Sequence, residues 1–64
     1  MAHTEKIKKL REARGLSQQE LASELGVSLA SIKNWESNKT RIKLSNALKV
    51  VKYFGIKMDY LVFE

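Results

Sequence analysis

Sixty-four residues make one domain, near the lower size limit for folding without disulfides or a bound metal. The chain has no cysteine, so it has no disulfide, no thiolate nucleophile and no Cys-based zinc site, and none of its apolar runs approaches the roughly 18–20 residues that span a bilayer. Lys and Arg number 12 against 7 Asp and Glu, a formal charge of +5 that points to a polyanionic partner, although solubility alone makes many small proteins basic.

The first predicted helix covers residues 4–14, with Thr4 as N-cap, Ile7 and Leu10 at helical spacing and Gly15 as its stop. Ser17-Gln18-Gln19-Glu20 reads as a capping box, in which the serine caps the first turn and Glu20 reaches back to the serine N–H. It opens a second helix, Gln18–Leu25, with Leu21, Ala22 and Leu25 facing inward and Gly26 closing it. Ser28 is the expected N-cap of a third helix over 29–37, burying Ile32 and Trp35 and ended by a left-handed Asn38. After a basic connector at 39–42 comes a fourth helix near 43–54, whose apolar face is read as Leu44, Ala47, Leu48, Val51 and Phe54, with Gly55 as its stop. A short fifth helix, Met58–Val62, completes the chain. The three-to-four spacing of apolar residues persists throughout, so no strand is expected. The expected fold is all-α: five short helices in one compact domain over 1–64, with no repeat, no leader segment and no second domain to serve as a small-molecule sensor.

The sharpest feature spans residues 17–36. Two helices of about eight residues are joined by Gly26-Val27-Ser28, a turn too short for antiparallel packing, which sets them at a large angle. The second helix then protrudes while the first braces it, and a helix of this size fits the B-DNA major groove.

Four blocks, Leu16 to Ala22, Leu25 to Ser28, Ile32 to Glu36 and Phe54 to Leu61, resemble the Cro/C1-type (XRE-like) helix-turn-helix family, which includes the lambdoid phage repressors. The resemblance covers nearly the whole chain. It implies a five-helix DNA-binding regulator, of the repressor kind, with the helix-turn-helix in helices 2 and 3. Three departures concern loop shape: Ser37-Asn38 stands for the frequent Asn-Gly, the proline before the fourth helix is replaced near Ile42, and Lys57 stands for the serine cap of the fifth helix.

The resemblance also implies residue roles. Gln18 and Ser28, at helix N-termini where free N–H groups attract anions, correspond to phosphate-binding positions. Leu29, Ala30, Lys33 and Asn34 correspond to base-reading positions: Asn34 suits adenine, Lys33 suits guanine O6 or N7, and Leu29 or Ala30 a thymine methyl. Lys39, Thr40, Arg41 and Lys43 would clamp the backbone. Arg11 and Glu36 correspond to a semi-buried ion pair between the first and third helices. Lys6, Lys8, Lys9 and Arg14 read as solvated face, with a first helix that skims the DNA backbone as the alternative, and His3 as lying in a frayed end.

Tyr60, Leu61, Val62 and Phe63 are read either as ordinary tail packing or as a dimer patch. A homodimer would set two reading helices about 34 Å apart on a palindromic operator. One histidine, no clustered carboxylates and glycines only at 15, 26 and 55 leave nothing from which to assemble a catalytic triad, a metal site or a phosphate loop, so neither enzyme activity, cofactor, metal nor small-molecule ligand is expected. The absence of cysteine fits a reducing, cytoplasmic setting. The rival readings are a protein-interaction module, such as an antitoxin or adaptor on the same fold, and an RNA-binding domain using only the basic face.

Overall fold

The computed structural model describes residues 2–37 and 41–62, with side chains from 6 to 37 and from 41 to 61. Among the described residues the chain forms five α-helices: α1 (Ala2–Ala13), α2 (Gln18–Leu25), α3 (Leu29–Glu36), α4 (Leu44–Phe54) and α5 (Met58–Val62). None is long and apolar enough to cross a membrane.

Local chemistry sets most of the boundaries. At α2 both halves of the capping box form: Ser17 Oγ accepts from the Glu20 N–H at 3.0 Å, and Glu20 Oε1 accepts from the Ser17 N–H at 2.7 Å. Gly26 ends that helix at φ 72°, a left-handed conformation that a Cβ would strain although nothing lies within 4 Å of where one would sit. Ser28 caps α3, its Oγ accepting from the Ser31 N–H at 3.1 Å. The first helix departs from expectation. It begins at Ala2, so Thr4 lies inside the first turn instead of capping it, because Ala is the best helix former and nothing before Thr4 breaks the helix. Helix α3 stops at Glu36 with Ser37 as its cap, and the expected left-handed Asn38 lies outside the described residues.

The core gathers Ile7 from α1, Leu21, Ala22 and Leu25 from α2, Ile32 and Trp35 from α3, Ala47, Val50, Val51 and Phe54 from α4, and Leu61 from α5. The apolar face of α4 differs from the sequence reading. Leu44 and Leu48 are 70% and 45% exposed, while Val50 is fully buried. Ala47, Val50, Val51 and Phe54 follow the i, i+3, i+4, i+7 rule, and this stripe takes the core, leaving the two leucines on its flank. Leu61 is likewise fully buried. It therefore belongs to the core of this chain and leaves no surface for a partner.

Candidate nucleic-acid interface

Helix α3 is two-sided. At about 100° per residue, Leu29, Ala30, Lys33 and Asn34 span an arc of roughly 140°, opposite the buried pair Ile32 and Trp35. Ala30 and Lys33 are exposed, and Leu29 and Asn34 half-buried. The turn at Gly26-Val27-Ser28 holds α3 against α2: the Val27 N–H donates to the Ala22 carbonyl at 3.0 Å, and Val27 itself packs on the core. Burying Ile32 and Trp35 fixes the rotation of α3, and this fixes which residues face outward.

A hydrogen-bond network ties the end of α3 to α1 and α2. Arg11 Nε donates to Glu36 Oε2 at 2.8 Å and Arg11 Nη2 to Glu36 Oε1 at 3.0 Å, a two-pronged pair, while Nη1 donates to the Leu16 carbonyl at 2.8 Å. The Arg11 and Glu36 side chains are only 11% and 5% exposed. Hydrogen bonding to Glu36 raises the Arg11 pKa above its ordinary value, against the smaller opposing effect of burial. Gln18, expected at a phosphate, also belongs to this network: its Nε2 donates to Glu36 Oε1 at 3.1 Å. That uses one amide N–H and leaves the other for an incoming acceptor.

An open groove runs beside this network. It is lined by Lys8 and Arg11 of α1, Gln18 of α2, and Lys33, Asn34, Glu36 and Ser37 of α3. The structure thus brings Gln18 together with two of the expected base-reading residues, Lys33 and Asn34. Ser28 is exposed at the start of α3, with its hydroxyl 2.9 Å from that of Ser31. Arg41 and Lys43 are exposed before α4, whereas Lys39 and Thr40 lie outside the described residues.

Two cations read as solvated face, Lys6 of α1 and Arg14 of the turn after it, are engaged elsewhere. The Lys6 ammonium donates to the Tyr60 carbonyl and stands 4.4 Å from the centre of that ring. The Arg14 guanidinium lies 5.0 Å and 5.3 Å from the Phe54 and Tyr53 ring centres, and its Nη2 donates to the Phe54 carbonyl at 3.4 Å. The first contact fastens α1 to α5, and the second fastens the turn after α1 to α4. Lys8 is the residue that sequence reasoning set aside and the groove takes in. Its i, i+3 spacing to Arg11 was the available signal. Of the dimer patch, Leu61 is buried, Tyr60 is 46% exposed, the side chain of Val62 and the whole of Phe63 lie outside the described residues.

Comparison with known proteins fits this arrangement. A family model described as Helix-turn-helix matches residues 7–61. The chain is 34% identical over 62 residues to the HTH-type transcriptional activator BcrR of Enterococcus faecalis, covering 97% of this chain and 30% of that protein. It is 48% identical over 50 residues to an HTH-type transcriptional regulatory protein of Thermococcus gammatolerans, covering 78% of this chain and 16% of the relative. An HTH-type transcriptional regulator of Methanocaldococcus jannaschii is 38% identical over 60 residues, with 92% of this chain and 91% of that protein covered. The first two relatives are thus much longer than the segment they share with this chain. Among solved structures, the P22 c2 repressor in complex with a synthetic operator superposes with a TM-score of 0.87 at 30% identity, covering 95% of this chain and 92% of that one. The chain belongs to the Cro/C1-type helix-turn-helix family.

Proposed function

We propose that this domain binds double-stranded DNA sequence-specifically and acts in transcriptional regulation, with α3 in the major groove. The observation that carries the reading is the two-sided α3: Ile32 and Trp35 lock it into the core while Leu29, Ala30, Lys33 and Asn34 form the outer face. Asn34 offers paired donor and acceptor atoms to adenine, Lys33 a donor to guanine, and Leu29 and Ala30 apolar contact to thymine methyls. Gln18, Ser28, Arg41 and Lys43, with Lys39 and Thr40 of the connector, are the phosphate contacts that fix its register. Family and fold are those of DNA-binding regulators, not of enzymes.

The P22 protein is by name a repressor and the Enterococcus faecalis protein an activator, so the sign of regulation follows from where the operator lies and not from this fold. The bound form is read as a homodimer on a palindromic site with half-sites about 34 Å apart. Its dimer patch is reduced to Tyr60, Val62 and Phe63. The domain's place of work is the cytoplasm, where the DNA of the bacterial and archaeal sources of its relatives lies.

Selection of bound sequences from a random duplex pool at near-physiological salt tests this directly. A palindrome with half-sites one helical turn apart is the expected recovery. Weak, salt-sensitive binding without any enriched motif would overturn the reading in favour of a protein-interaction module.

A further inference from the structure

Besides Arg11, helix α1 carries three cations with described side chains, Lys6, Lys8 and Lys9, and Arg14 follows in the turn just after it. Lys6 and Arg14 are engaged by Tyr60 and by Tyr53 and Phe54. Lys8 and Lys9 are neighbours in sequence and both exposed, yet about 100° of helix rotation separates them. Lys8 shares the face of Arg11 and lines the groove with Gln18, Lys33 and Asn34, and Lys9 does not. No hydrogen bond or ion pair holds the Lys8 ammonium among the described residues. Within the groove the Glu36 carboxylate is matched by Arg11, so Lys8 and Lys33 leave the groove positive.

We propose that Lys8 is a DNA-backbone contact: the groove between α1 and the start of α2 holds a phosphodiester, with the Lys8 ammonium and the second Gln18 amide N–H as its donors. A phosphodiester is a monoanion with two free oxygens, and this pairing supplies one point charge and one directional donor. Glu36 positions the amide by holding its other N–H, with Arg11 cancelling the charge that would otherwise repel the phosphate. The footprint then extends beyond the helix-turn-helix onto the first helix, and because the ligand is backbone this contact adds affinity without sequence preference. The proposal rests on the DNA-binding reading above.

The test compares wild type, Lys8→Ala, Lys9→Ala and Lys8→Arg on the selected operator and on a random duplex, across a salt titration. Lys9→Ala removes the same charge one residue away and is the internal control. Lys8→Ala is expected to flatten the plot of log affinity against log salt by about 0.9, the equivalent of one phosphate contact, equally on both duplexes. Lys9→Ala and Lys8→Arg keep the wild-type slope, and all three variants keep the wild-type melting temperature. Equal flattening by Lys8→Ala and Lys9→Ala, or none by Lys8→Ala, overturns the assignment while leaving DNA binding intact. A wild-type chain that binds no duplex overturns the DNA-binding reading itself, and the Lys8 contact with it.

Discussion

Replacing Asn34 and replacing Arg41 remove different things, and the difference is measurable. Asn34→Ala deletes a directional donor and acceptor on the reading face, so it should cost roughly 1–3 kcal/mol on the operator and relax preference at one or two base pairs. Arg41→Ala deletes an exposed charge beside α3, so it should weaken all duplexes alike and flatten the salt slope by about one. Competition binding against single-base operator variants separates the two, and equal losses on operator and random DNA for both variants would overturn the division. Arg11 is a third case, since its removal leaves the Glu36 carboxylate with only Gln18 as a hydrogen-bond donor among the described residues. Arg11→Met should lower unfolding stability by roughly 3–5 kcal/mol in urea, and the double variant with Glu36→Met should recover most of that loss. An arginine is charged throughout the working pH range in any case, and because the Arg11 pKa is raised its contribution is complete below the ordinary Arg value and is lost only as pH passes the raised one.

At the scale of elements, Ser17 and α4 give the clearest tests. Ser17→Ala removes one half of the capping box and should cost about 1 kcal/mol, a melting shift of roughly 4–8 °C for a domain of this size. Val50→Ala should cost about 2 kcal/mol, while Leu48→Ala should stay within about 0.5 kcal/mol. The reverse order would restore the face first read from the sequence. The caps at Ser17, Gly26, Ser28 and Gly55 were legible because each is decided by a few adjacent residues. The phase of α4 was not, because Leu44 and Leu48 continue the apolar stripe to one side while Val50 continues it to the other, and only packing against α2 and α5 chooses between them. Leu61 and Lys8 escaped for the same reason. Whether Leu61 points into the core or outward, and whether Lys8 or Lys9 faces the groove, depends on how α1 and α5 sit against other helices. Arg11 and Glu36, far apart in sequence, were placed together only through family resemblance, and Gln18's bond to Glu36 had no sequence signal at all.

For the molecule as a whole, +5 of formal charge sets attraction to any polyanion, and the arrangement of donors has to convert attraction into choice. Sedimentation at tens of micromolar, with and without operator, should show a dimer at least on DNA, and monomers under both conditions would remove the palindrome from the proposal. The network joining Arg11, Leu16, Gln18 and Glu36 bears on a separate property. With the reading helix bolted to its neighbours at both its buried face and its end, the protein has little give, and any mismatch in spacing or curvature must be absorbed by the duplex. Operators will then be ranked partly by their mechanics: base pairs that no side chain reaches should still matter, according to how readily their steps bend or twist to meet an unyielding surface.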